Sequence, residues 1–126
     1  MKPRLYIIVI LAMSLMGFNG SEQSLKVTAS AYTSNTGETD STPTLAAWGD
    51  TLKPGMKSIA VSRDLIKMGL THNQKVRIEG LEGTYTVLDK MNKRWKKKID
   101  IYMGNDTKKA KEWGKRKVVI YWAKKK

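Results

Sequence analysis

Cysteine is absent from the 126 residues. This excludes disulfides and any thiolate metal site, so the fold must be held by packing alone. Histidine occurs once, as His72, in a polar turn with no sequence partner for metal ligation or nucleophile activation, and a plain surface role is expected for it. Gly-x-Ser-x-Gly, phosphate-cradling Gly-rich and zinc-binding helix patterns are all missing, which leaves nucleotide and metallohydrolase chemistry without support. No metal or other cofactor is expected. Acidic residues are scarce, 11 against 24 lysines and arginines, giving a formal charge of +13. A chain so basic calls for an acidic partner.

Long apolar runs are also missing, with one exception. Met1-Lys2-Pro3-Arg4 supplies a short positive region, and residues 5–18 form an apolar stretch followed by polar Asn19-Gly20-Ser21-Glu22. The run is shorter than the about 20 apolar residues of a membrane-spanning helix, and this is the layout of a secretory signal. Residues 1–20 are expected to be a signal peptide, removed or kept as a tether, with no membrane span after processing. Export to the periplasm or cell wall follows. Residues 21–126 then form one domain of about 105 residues with a basic C-terminal tail, expected to be a monomer.

What is present reads as short strands. Residues 25–33 alternate Leu25, Val27, Ala29 and Ala31 against Lys26, Thr28, Ser30 and Tyr32, the period of a half-buried strand. Residues 35–55, with three glycines and two prolines, read as a long and therefore functional loop. Further strands are expected at 58–61, 75–79, 84–88, 98–103 and 117–122, with a helical turn at 63–68 and a helix at 106–113 capped by Asp106 and stopped by Gly114. Six strands and one or two short helices make a small, mainly β barrel.

With so few carboxylates, position is informative. Asp89 ends one strand, Asp100 sits inside another, and the basic, aromatic loop 90–97 lies between them. Alternation sets Ile99 and Ile101 on one face and Lys98, Asp100 and Tyr102 on the other. Aspartate is a poor strand former, so Asp100 has either an ion-pairing role or an acid's role in a cleft. Of the four tryptophans, Trp113 and Trp122 sit among apolar neighbours and read as core. Trp48 and Trp95 lie in loops, where each can anchor its loop or offer a flat face to a sugar, with Arg94 and nearby lysines holding anionic groups.

The segments Ser58-Ile-Ala-Val-Ser-Arg-Asp-Leu-Ile-Lys-Met-Gly69, Lys75-Val-Arg-Ile-Glu-Gly80, Val87-Leu-Asp89, Lys98-Ile-Asp-Ile-Tyr-Met-Gly104 and Ala110-Lys-Glu-Trp-Gly114 occur in a known order. In that order, closed by Val118-Val-Ile-Tyr-Trp122, the chain from about residue 27 to 122 resembles the three-aspartate domain, a double-psi β-barrel related to membrane-bound lytic transglycosylase A. The resemblance implies cleavage of peptidoglycan between N-acetylmuramic acid and N-acetylglucosamine without water, leaving 1,6-anhydromuramyl ends. Asp100 would be the acid and then the base, and Asp89 the second family aspartate. Lys98, Tyr102, Trp95, Arg94, Trp48 and Thr33 would bind the glycan. The chain departs from the family pattern at Ser62, where the first aspartate usually stands and for which Asp64 is a weak substitute. It departs again in loop 90–97, bulky and basic in place of a Gly-Gly turn. The alternative is a noncatalytic barrel held to the wall by charge. Nucleic-acid binding, which the charge permits, is opposed by the export signal and is not expected.

Overall fold

The computed structural model describes residues 22–34 and 45–124. The expected signal peptide, residues 35–44 of the long loop and the last two tail lysines lie outside them. Within the described residues the chain forms β1 (Glu22–Tyr32), β2 (Ser58–Val61), α1 (Arg63–Ile66), β3 (Lys75–Ile78), β4 (Tyr85–Lys90), β5 (Lys98–Tyr102), α2 (Thr107–Trp113) and β6 (Arg116–Ala123). The six strands close into a barrel in the order β1-β5-β2-β4-β3-β6. β5 separates β1 from β2, and β2 separates β5 from β4, which are the two interlocked crossings of a double-psi barrel.

The order hides a two-fold. Renaming β1, β2 and β3 as β4, β5 and β6 reproduces every pairing, including the two parallel pairs β1/β5 and β2/β4. No repeat in the amino-acid sequence announces this, because the two halves share a pattern of inward β-branched residues rather than residue identities.

Alternation fills the interior. Val27, Ala29, Ile59, Val61, Val87, Ile99, Ile101 and Ile120 are all fully buried in one cluster. Trp113 and Trp122 belong to it, as expected. Trp113 closes one end of the barrel, its Nε1 donating to the Ala29 carbonyl at 3.2 Å and its ring carrying the Arg116 guanidinium at 4.0 Å. The helix that presents Trp113 starts as expected, with Asp106 Oδ1 accepting from the Lys109 amide at 2.9 Å.

A second, smaller cluster lies on the outer side of the sheet. There Ala46 and Leu52 of the long loop cover Leu88 and Tyr102, with Tyr32 and Met56 packed against them. This part of the loop is ordered by a tight turn, in which Leu45 bridges Thr51 and the Ala46 amide donates to the Asp50 carbonyl at 2.8 Å. At Gly104, φ is +61° and a Cβ would meet the Pro54 Cα at 3.0 Å, so only glycine lets the loop approach the end of β5 this closely.

Candidate active site

Asp100 faces outward between buried Ile99 and Ile101, as alternation predicts. Asp89 does not follow so simply. In a regular strand it would share the inward face of Tyr85 and Val87. The β2/β4 register shifts between Ile59 and Ala60, pairing Ile59 with Val87 but Ala60 with Asp89. The extra residue, Leu88, goes to the outer cluster, and Asp89 is turned to the outer face as well. Since Ala60 also pairs with Asp100, and Asp100 with Ser30, one row across four strands reads Ser30, Asp100, Ala60, Asp89. The two aspartates are two strand spacings apart, roughly 10 Å between Cα atoms. Only the methyl group of Ala60 stands between them.

The two carboxyls are held differently. Asp89 Oδ1 accepts the amide of Ala47 at 2.8 Å and that of Lys90 at 2.9 Å. Asp100 hydrogen-bonds the Ser30 hydroxyl, while its Oδ1 is buried without a partner among the described residues. Burial is the largest influence on Asp100 and pushes its carboxyl up to about 6. The Ser30 hydrogen bond and Lys98 pull against this, and the charge of Asp89 adds to it. Burial therefore outweighs the adjacent lysine, and the group holds its proton well above the usual carboxylate range.

Two more polar atoms in this region lack partners among the described residues, Ser58 Oγ and the Tyr32 hydroxyl. Burial, followed by the charges of Asp89 and Asp100 and then by Tyr102, pushes the Tyr32 phenol well above its ordinary value. It stays neutral, a donor beside the acid row. Buried polar atoms without partners cost stability, and these three lie on one face of the sheet.

The other expected site residues separate into groups. Lys98 is close enough to Asp100 to act on its carboxyl. Its ammonium lies 3.8 Å from the centre of the Trp95 ring, and the Arg94 guanidinium lies 4.8 Å from the same ring. Trp95 thus gathers cations instead of presenting a bare face. Thr33 and Tyr102 are buried, at 0% and 3% exposure. Tyr102 stacks obliquely on Tyr32, hydrogen-bonds Ser34 and lines a shallow pocket with Met56, Tyr85 and Lys109. Ser62 accepts the Lys98 amide at 3.0 Å and closes the β2/β5 ladder. Asp64 accepts the Lys97 amide at 2.9 Å, anchoring the end of the basic loop outside the acid row. Among the described residues there is no group of metal-ligating side chains and no helix long and apolar enough to cross a membrane.

His72 has more to do than the plain surface role expected. It bonds Asp50 and stacks on Trp48, with ring centres 4.8 Å apart, while Lys90 lies 5.6 Å from the centre of the Trp48 ring. These contacts hold the 45–51 turn, whose Ala47 amide fixes Asp89. No sequence signal links residues 48, 50 and 72. Replacing His72 with alanine is expected to speed hydrogen exchange at the Ala47 amide at least tenfold while leaving strand amides unchanged. Equal exchange in both proteins would show that the latch does not hold the turn.

No protein-family model matches this chain, and no curated protein is similar to it.

Proposed function

We propose that this is an exported protein that cleaves the glycan strands of peptidoglycan as a lytic transglycosylase does, with Asp100 as the proton-transfer group. The observation that carries the reading is a half-buried carboxyl raised to about 6, in line with a second, amide-bound carboxylate. A general acid must hold a proton close to the working pH, and this environment provides it.

In this reading Asp100 donates its proton to the bridging oxygen as the bond from the muramyl C1 breaks. The carboxylate so formed takes the proton of the same sugar's C6 hydroxyl while that oxygen bonds to C1. The proton returns to Asp100 and no water is consumed. One catalytic carboxyl suffices because the attacking hydroxyl is already tethered to the reacting sugar, whereas hydrolytic glycosidases need a second to serve as nucleophile or to activate water. Burial keeps Asp100 protonated, and Asp89 adds a smaller push in the same direction and a negative charge that offsets the positive charge developing at C1. The neutral Tyr32 hydroxyl supplies a donor nearby.

The reading is tested by incubating the mature protein with purified sacculi and analysing the products by mass spectrometry. Release of 1,6-anhydromuropeptides is expected, fastest below pH 6. The rate should fall about tenfold per pH unit well above that value, as the acid form is lost. Reducing-end products alone would instead indicate hydrolysis.

The cations gathered on Trp95 favour a second reading, a barrel that binds the wall without cutting it. It predicts sacculus pelleting that weakens with salt and survives Asp100→Asn, with no anhydro product from either protein.

A further inference from the structure

We propose that Lys26, Lys97, Lys98 and Lys117 form a cradle for the phosphodiester groups of an anionic polymer, at the end of the acid row nearest β6. It rests on the reading above only for the direction in which the polymer would run.

Strand register brings these residues together from distant parts of the chain. Thr28 on β1 pairs with Lys98 on one side and Lys117 on the other, and Lys26 lies two residues back on the same outward face. Lys98 and Lys117 are therefore two strand spacings apart, roughly 10 Å between Cα atoms, with Lys26 diagonal to Lys117. The next row of that face holds Ser30 and Asp100. Lys26, Lys97 and Lys117 are exposed and Lys98 is half-buried.

Among the described residues no salt bridge holds these four lysines, although the Asp100 carboxyl feels Lys98 and Asp64 accepts the Lys97 amide. The salt bridges among the described residues are His72 to Asp50 and Arg77 to Glu22. Like charges on neighbouring strands repel and weaken a sheet. A face that gathers them and also fixes Lys98 on Trp95 is arranged for an external anion.

Lys97 adds an independent sign. Its φ is +46°, in the left-handed region where a side chain is strained and glycine is not. Its carbonyl accepts the Thr28 amide at 3.0 Å, so the strained residue adjoins the cradle directly. A lysine in a glycine's place gives up stability for an exposed charge.

The chemistry favours phosphate over carboxylate. Planar carboxylates are matched by the two-pronged guanidinium, whereas ammonium groups are point charges that suit a tetrahedral anion approached from several sides. The spread of the cations suits a chain with repeated charges better than a single ion.

The experiment is a fluorescence-anisotropy titration of the full chain with an end-labelled synthetic glycerol phosphate oligomer, alongside poly-L-glutamate of equal charge. The pair K26Q/K117Q should weaken oligomer binding about tenfold at about 0.1 M salt and reduce the slope of log affinity against log salt by one to two. The pair K108Q/K111Q removes the same charge from the exposed side of α2 and should change affinity less than twofold. Lys97→Gly should bind more weakly while melting no lower than the parent, which separates a binding role from a structural one. Equal losses in the two pairs would reduce the effect to net charge and overturn the proposal. So would an equal loss toward poly-L-glutamate, or undiminished binding by Lys97→Gly. Oligomer binding is read without any bond cleavage, so a failure to find anhydromuropeptides leaves this result standing on its own.

Discussion

Asp100→Asn is expected to make the barrel more stable at pH 7 and to lower release of anhydromuropeptides by a factor of about 100 to 10,000. The two effects have one cause. The folded carboxyl titrates near 6 because ionising it inside the sheet is costly, while in the unfolded chain it titrates near its ordinary 3.8. Between these values the folded state binds more protons, so stability falls as pH rises from about 4 to about 6 and stays low above that. The difference corresponds to roughly 1–3 kcal/mol at pH 7. Asparagine keeps the shape and the link to Ser30 without the charge. It should recover most of that energy at pH 7 and little at pH 4. Urea unfolding of both proteins at pH 4 and pH 7 provides the check. A variant less stable than the parent at pH 7 would mean that Asp100 is a stabilising ion-pair partner of Lys98, and the acid's role would be lost with it.

Trp113→Ala is expected to have the largest effect on folding. The ring is 9% exposed, bonds β1 through the Ala29 carbonyl, and carries Arg116, which also donates to the Trp113 carbonyl at 2.9 Å. Its removal opens the end of the barrel where α2 packs on β1. Losing a buried tryptophan costs about 3–5 kcal/mol, a large part of the about 5–15 kcal/mol that holds a domain of this size. Melting by circular dichroism should drop by about 15 °C or more. Trp95→Ala, in the exposed loop, should leave the melting temperature within about 3 °C and instead free Lys98 and Arg94 from the ring they share. A similar loss of stability in both variants would show that Trp95 also belongs to the core.

The four tryptophans illustrate how much was legible. Trp113 and Trp122 were readable as core because helical and strand periodicity put apolar neighbours around them. Trp48 and Trp95 stood in loops, where no period applies, and their contacts with His72 and Lys98 come from segments brought near only by closure of the barrel. Asp100 was readable as outward-facing from Ile99 and Ile101. Its raised pKa was not, since burial depends on which strands lie on either side and on the loop that folds across them.

Sequence alone determined the six strands, the inward set of valines and isoleucines, the cap at Asp106 and the outward direction of Asp100, because each follows from local periodicity or backbone chemistry. The three-dimensional fold decided the rest. A single extra residue at Leu88 reverses the direction of Asp89, and strand pairing between distant segments sets it in line with Asp100 across Ala60. Alternation is a local rule, and it cannot say where a ladder slips. That slip is fixed by the partner strand and by the outer cluster that takes in Leu88.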